Sequence, residues 1–419
     1  MAFTLSITLL GRLPTWIHDL RSFQSLFALC YALYALALLG LKRYARVPRA
    51  GLVVLAVAIA TRAALFPVVP SLSGDLYRYV WEGRVTAHGG NPYRQSPLDP
   101  RLAPLRDREV FPNINHKELS TIYPPLAEAG FALVARISQT VSAMKLWVVL
   151  HDLLLVALLL AWAKRRGASA VPVIAYAWNP LVLVEYAGSG HNDPTAMLWL
   201  ILAIMWVEER PILSALTLGI GALVKLVPLL ALPFLIRRWP WRSRILCGVI
   251  LSVGLGWFRS QTRDTYSGLI ASWGTWRNNE LLFHYVDRWA GSFERARSIS
   301  LVLVAAALAW GWWKRWGPAH GTRLGVRSGV LVSPVVHPWY LGWALAFEPL
   351  GPSAPWLLLS GTAILNYGLF STPAEGRSFH LPLVWRWVEY GLPLLVATVI
   401  AARAFRGRTR HAHPKTEVS

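Results

Sequence analysis

Residues 146–166 read LWVVLHDLLLVALLLAWAKRR, an apolar run from Leu146 to Ala163 closed by Lys164, Arg165 and Arg166. The run approaches the roughly 20 residues that an α-helix needs to cross a bilayer. A basic triplet at its end marks the side that stays in the cytoplasm. Other basic groups close apolar runs in the same way: Lys42, Arg43, Arg46 and Arg49; Arg237, Arg238, Arg242 and Arg244; Lys314 and Arg315; Arg403, Arg406, Arg408 and Arg410. The formal charge of +21 therefore reads as membrane topology, and no nucleic-acid partner is expected. Hydrophobic residues make up 55% and charged residues 15% of the 419, against about 25% charged in a soluble domain. With 22 Trp and 14 Tyr to anchor at two interfaces, the expected fold is an all-α polytopic membrane protein. Cys30 and Cys247 have no partner at metal or redox spacing and read as packing residues.

Working outward, a first span from about Ser25 to Leu41 runs inward and a second, Gly51 to Val69, runs outward. The apolar start of the chain, followed by Arg12 and Pro14, has no signal-peptide cleavage site, so the first membrane helix is expected to direct insertion. Residues 71–122 then form an outer polar loop, far longer than an ordinary connection. Tyr123 to Ile137 is apolar but short, an interfacial or re-entrant helix as readily as a span. Further spans alternate to the C-terminus, giving about 12 or 13 crossings, several of them short and broken by Gly or Pro. A second outer loop occupies 258–295 and a basic cytoplasmic tail 403–419, all within one membrane-embedded domain.

On this topology Asp75, His191 with Asp193, Asn278 with Glu280, and His337 all emerge on the outer face. Ionisable groups at membrane depth are costly and mark sites or pathways, so their shared sidedness predicts one outer-facing pocket. Asp75, Arg78, Tyr79 and Glu82 recur at helical spacing and predict an interfacial helix with its polar face toward a substrate. An ordinary surface helix with internal ion pairs would have the same spacing. Gly89-Gly90-Asn91-Pro92-Tyr93 reads as a turn, and Tyr123-Pro124-Pro125-Leu126 as a stiff entry into the next helix.

The string Asp75 to Arg84, then Asn91-Pro92-Tyr93, Ile122-Tyr123-Pro124-Pro125-Leu126, Gly190-His191-Asn192-Asp193, Lys225 before Pro228, and Ser333-Pro334 with His337-Pro338-Trp339-Tyr340, resembles the polyprenyl-phosphate-mannose-dependent mannosyltransferases of glycosyltransferase family 87, in the GT-C class. The resemblance runs from about Gly51 to Tyr340. It implies a GT-C-type helical bundle with interfacial helices in the first loop, a catalytic role for 71–122, and Asp75 as general base. A carboxylate within reach of an acceptor hydroxyl can take its proton as the hydroxyl attacks the anomeric carbon. The departing lipid phosphate needs cations or donors, for which Arg78, Arg84, Lys225 and His337 are candidates. Tyr79, Glu82, Asn91, Tyr93, Tyr123, His191, Asp193 and Trp339 are candidate substrate contacts. The resemblance also implies inversion at the anomeric carbon. A lipid monophosphate carries little charge, so no metal or cofactor is required. The expected partners are membrane lipid, a polyprenyl-phosphate hexose and a lipid or glycan acceptor, at the outer side of the cytoplasmic membrane.

Each residue also has a plainer role open to it. Asn192 or Asp193 would cap the next helix, Lys225 would snorkel to an interface, and His337 would close a tight turn. Glu82 would pair with Arg78, while Trp339 and Tyr340 would serve as belt aromatics. Asn278, Asn279 and Glu280 would matter only if the second loop folds over the site. The first loop also holds Glu82, Asp99 and Asp107, and no second acid adjoins Asp75, whose neighbour is Gly74. A secondary transporter or lipid flippase is the competing class; it predicts inverted repeats and polar groups at mid-membrane, and no repeat is visible.

Overall fold

The structure is a computed structural model describing residues 1–40, 49–261, 276–371 and 381–412, with side chains to 404 in the last stretch. Lys42, Arg43 and Arg46, part of the second outer loop (262–275) and the end of the basic tail (413–419) lie outside the described residues. Within them the backbone is predominantly helical, without strands; Asn278 and Val335 form an isolated bridge.

The helices α1 (Ala2–Gly11), α2 (Leu20–Leu39) and α3 (Ala50–Leu65) precede the first loop. α4 (Asp75–Ala87) lies within it, and α5 (Pro125–Ile137) and α6 (Val141–Arg165) follow. After a broken stretch come α7 (Asp193–Met205), α8 (Pro211–Val224) and α9 (Trp241–Gln261). The remainder holds α10 (Leu282–Ala290), α11 (Phe293–Trp313), α12 (Pro318–Val332), α13 (Ala354–Thr362) and α14 (Leu383–Ala412).

Four helices among the described residues are long and apolar enough to cross a membrane: α2, α6, α11 and the Leu383–Ala404 part of α14. On α2, Phe23, Phe27, Cys30 and Tyr34 recur at three- and four-residue spacing and are buried, while Leu29, Leu36 and Leu39 are exposed. Leu150 and Leu154 on α6 and Leu301, Val302 and Leu303 on α11 are likewise exposed. So much outward apolar surface on long helices calls for lipid around the bundle. Both cysteines are buried and unbridged, as packing residues should be.

Several other expected crossings are short. α3, α7 and α8 have 16, 13 and 14 residues, about 24, 20 and 21 Å at the helical rise. Residues 171–186, expected as one outward span, break at Asn179-Pro180, because Pro180 has no N–H for a continuous ladder. The path then passes through π-helical Leu183–Gly188, a geometry frequent at functional sites. α1, formed by the apolar start of the chain, packs on α2 and α3.

α4 differs most from expectation. It does not lie on a surface with one face free: every residue from Leu76 to Val85 is buried. Leu76, Val80, Trp81 and Val85 join an apolar cluster with Phe131 and Val134 of α5, while the charged positions are neutralised from the loop side, as described below.

The bundle is pinned by a fully buried ion pair, Arg62 Nε to Asp152 Oδ2 at 2.7 Å, between α3 and α6. Arg62 also donates to the Ala58 and Ala177 carbonyls, and the Tyr176 hydroxyl donates to Asp152 Oδ1 at 2.8 Å. Arg62→Met strands the carboxylate and should cost about 3–5 kcal/mol in thermal unfolding of the detergent-solubilised protein. Adding Asp152→Leu should recover most of that loss.

Candidate functional site

Asp75 opens α4 at the positive end of the helix dipole. Its Oδ1 accepts from Asn115 Nδ2 at 2.6 Å, and its N–H donates to Ser73 Oγ at 3.2 Å. Its side chain keeps 19% exposure. One turn on, Arg78 donates to Glu82 Oε1 at 2.7 Å and to the carbonyls of Asn115, His116 and Leu119. That guanidinium fixes the strand of loop from which Asn115 reaches Asp75.

On the other side of Asp75 stands His191, fully buried, with Nε2 4.0 Å from Asp75 Oδ2. Gly190 makes this approach possible: its φ is +81°, and a Cβ there would meet the Leu76 side chain at 2.7 Å. His191 Nδ1 lies 3.2 Å from both the main-chain oxygen and Oε2 of Glu185, in the π-helical turn. Tyr367 donates its hydroxyl to Glu185 Oε1 at 2.7 Å. Burial alone would lower the pKa of His191; the bond to Glu185 and the charges of Glu185, Asp75 and Asp193 outweigh it and raise the value. Nε2 has no hydrogen-bond partner among the described residues. A buried donor without a partner, beside a partly exposed carboxylate, is where a ligand atom would complete the bonding.

Trp339 is stacked on both His191 (3.8 Å between ring centroids) and His337 (4.2 Å). It is expected from the sequence as a substrate contact, and its ring lies nearly parallel to both imidazoles, at 13° and 5°. His337 is only partly covered by its surroundings. Burial nevertheless pulls its pKa down to about 3, with Asp75 opposing and His191, Lys225 and His116 adding to the fall. His337 is thus a neutral hydrogen-bonding group and not a cation. Tyr186 donates to the Trp339 carbonyl at 3.2 Å, and a Cβ on Gly342 would collide with the Tyr186 hydroxyl, so only glycine admits this contact.

Lys225, just past α8, puts Nζ 2.5 Å from Asp193 Oδ1, and Trp343 Nε1 donates to the same oxygen at 2.5 Å. The ammonium also lies 5.1 Å from the Tyr340 ring and 5.0 Å from that of Trp343, a cation–π arrangement. With 27% of its side chain exposed, Lys225 is an accessible cation of the cluster. Asn192 is the N-cap residue of α7, and its Oδ1 accepts from the Thr195 hydroxyl at 2.7 Å. The Asn192 side chain makes no bond to a helix N–H, so neither residue caps α7 through its side chain, and Asp193 takes the ion pair.

The remaining candidates are placed differently. Arg78 and Arg84, expected to hold phosphate, spend their donors inside the loop. Arg84 pairs with Asp107 at 2.8 Å and donates to the Leu105 carbonyl. Spacing on a helix cannot distinguish a phosphate fork from a loop staple. Glu82 is 1% exposed and pairs with Arg78. Asp99 caps a 3₁₀ turn and binds Arg101, and Asp107 also accepts from the Val110 and Phe111 N–H groups. Of the loop's four candidate acids, Asp75 alone adjoins the histidine cluster. Asn91 donates to Gln261, and Tyr93 donates to the Tyr123 carbonyl, knitting the loop to α9 and to the segment that enters α5. Tyr79 stacks on Phe131 at 4.6 Å and meets Tyr123 edge-on, forming the floor beneath Asp75. Among the described residues no three His, Cys, Asp or Glu side chains are grouped to hold a metal.

The second loop does come alongside. Asn278 N–H donates to the Pro334 carbonyl at 3.1 Å and its carbonyl accepts from Val336 N–H at 2.8 Å, fixing the segment that carries His337. Trp276 lies 4.4 Å from His116. Asn279 and Glu280 instead face Glu389 and Arg386 of α14. Asn115, Glu185, Tyr367 and Trp343 escaped the sequence reading; only Trp343, one helical turn past Tyr340, had a visible signal.

A family model described as alpha-(1->6)-mannopyranosyltransferase, N-terminal domain (the MptA/B family), matches residues 7–241, more than half of the chain. The chain belongs to this mannopyranosyltransferase family. The resemblance drawn from the motifs agrees with it. Among curated members, alpha-(1->6)-mannopyranosyltransferase A of Mycobacterium tuberculosis is 26% identical over 335 residues, 68% of this chain and 62% of that protein. A probable alpha-(1->6)-mannopyranosyltransferase of Mycolicibacterium smegmatis is 24% identical over 390 residues, 74% of this chain and 67% of that protein. The chain thus spans about two thirds of the length of these mannopyranosyltransferases. No solved structure matches. Asp75, His191, Asp193 and Lys225 lie inside the matched stretch, and His337, Trp339 and Trp343 beyond it.

Two outcomes are expected. The folded pKa of His191 is raised above the ordinary value of about 6.5. The stability it confers is therefore full below that pH and lost as pH rises through the raised value; in melting curves against pH, His191→Gln should remove this loss. Arg78→Gln removes the cation that pairs with buried Glu82 and should cost about 3 kcal/mol locally, read as faster proteolysis within residues 115–119, the segment whose carbonyls it holds.

Proposed function

We propose that the protein is a membrane glycosyltransferase that moves a hexose, mannose in the first instance, from a polyprenyl phosphate to a lipid or glycan acceptor on the outer side of the cytoplasmic membrane. The observation that carries this reading is the setting of Asp75: a partly exposed carboxylate oriented by Asn115, 4.0 Å from the unpartnered Nε2 of buried His191, in a cluster that also holds Lys225. Family membership supports the sugar, and the polar cluster supports a single reaction centre.

In this reading Asp75 takes the proton of the acceptor hydroxyl as its oxygen bonds to the anomeric carbon. The bond from that carbon to the lipid phosphate breaks on the opposite face, giving inversion, and the electron pair leaves with the phosphate. Lys225 and protonated His191 stabilise the departing anion, with His337 as a neutral donor. Of the four phosphate candidates this assignment keeps Lys225 and His337, drops Arg78 and Arg84, and adds His191. Charge on a lipid monophosphate is low enough for protein donors to manage without a metal. The aromatic groups Tyr340 and Trp343, stacked at 4.3 Å, offer an apolar surface to a sugar or prenyl chain.

The test is transfer by purified protein from radiolabelled polyprenyl-phosphate mannose to a crude lipid and glycan pool. Asp75→Asn should lower transfer by about 10²–10⁴-fold with donor binding retained. In vesicles of defined orientation, transfer should occur only with donor on the outer face. Full activity in Asp75→Asn would refute the role of Asp75, and solute or lipid flux without transfer would move the protein to the transporter class.

A further inference from the structure

Near the other end of α12 from His337, a cavity of about 350 Å³ opens between α12, residues 351–354 and α14. It lies beyond the stretch matched by the family model. Arg323 and Arg327, one turn apart on α12, line it together with His320, Trp316 and Ile400. Both guanidiniums share one fully buried carboxylate: Arg323 Nη2 lies 3.3 Å from Glu348 Oε1, and Arg327 Nη2 bonds to the same oxygen. Glu348 Oε2 is taken by the Ser353 N–H at 2.6 Å. Two cations against one saturated carboxylate leave a net positive charge. Nε of each arginine is buried with no hydrogen-bond partner among the described residues. The two guanidiniums stay partly exposed, at 15% and 19% of their side chains, and a cavity wall with excess positive charge calls for an anionic acceptor.

Its position narrows the chemistry. The cavity adjoins Lys314 and Arg315 at the basic end of α11, where residues read as cytoplasmic cluster, and one wall is apolar. Trp316 packs edge-on to His320 at 4.2 Å, and Ile400, half exposed on α14, faces the opening. We propose that this cavity is a phosphate-binding site separate from the transfer site, and that its apolar wall favours a phosphate carried by a membrane lipid. Basic clefts between membrane helices hold headgroups on these terms.

The experiment compares retention of phosphatidylglycerol and phosphatidylcholine by the full-length protein in detergent, using native mass spectrometry. Removing both arginines alone strands Glu348, so the informative variant is Arg323→Gln/Arg327→Gln/Glu348→Gln, which keeps hydrogen-bonding groups and removes the charge. Ile400→Trp, which narrows the opening without touching the ion pair, serves as an independent second variant. Wild type should prefer phosphatidylglycerol, and each variant should weaken its retention about tenfold with an unchanged helical spectrum. If sodium phosphate displaces the lipid and raises the melting temperature as much as the lipid does, phosphate binding stands and the preference for a lipid carrier falls. Equal retention of both lipids, or undiminished phosphatidylglycerol in the variants, overturns the site.

Discussion

A polar loop of some fifty residues packed onto a helical bundle must satisfy its carbonyls without forming regular structure, and one guanidinium does much of that here. Arg78 lies beneath the loop and donates to three main-chain oxygens and to Glu82. Burying an arginine is costly unless its donors are matched. The carbonyls of Asn115, His116 and Leu119 match them, and in doing so they settle where Asn115 and His116 lie. Asn115 then orients Asp75, and His116 meets Trp276 from the second loop. The site is thus assembled downward from a buried charge and not from the surface inward.

A second constraint comes from the chain's short helices. Segments too short to cross a bilayer end inside the protein, where unpaired backbone groups are tolerated only against other polar groups. The π-helical turn before Gly190 is such an ending, and it delivers Glu185 and His191 to one point. Asn278 does similar work between chain segments, pairing its backbone with residues 334 and 336 so that His337 is held from both sides. These are irregular stretches with fixed positions, which is how catalytic groups are usually presented.

Hydropathy made the long helices legible: Leu146 to Ala163 falls within Val141–Arg165, and the span from about Ser25 overlaps Leu20–Leu39. It was weaker where Pro180 splits a run, since composition is apolar on both sides of the break. The motifs at 190–193 and 337–340, and Asp75 itself, were visible because charged or aromatic residues beside glycine or proline are rare in such a chain. What sequence could not reveal was the direction of each arginine. Arg78, Arg84 and Lys225 are equivalent as symbols; only packing separates two loop staples from a partly exposed ammonium. Glu185 and Tyr367 were hidden for a similar reason, being polar residues inside apolar runs whose pairing spans 182 positions.

Asp193 lies within the stretch common to the family, yet half of its coordination arrives from Trp343, a hundred residues past the end of that stretch. The end of the N-terminal family model at residue 241 is therefore not a seam in the molecule. A chimera joined near residue 241 would inherit an ammonium and a carboxylate from one parent and the indole that steadies them from the other. Such an exchange would keep the bond to Asp193 only where tryptophan, or another donor of the same reach, stands at position 343.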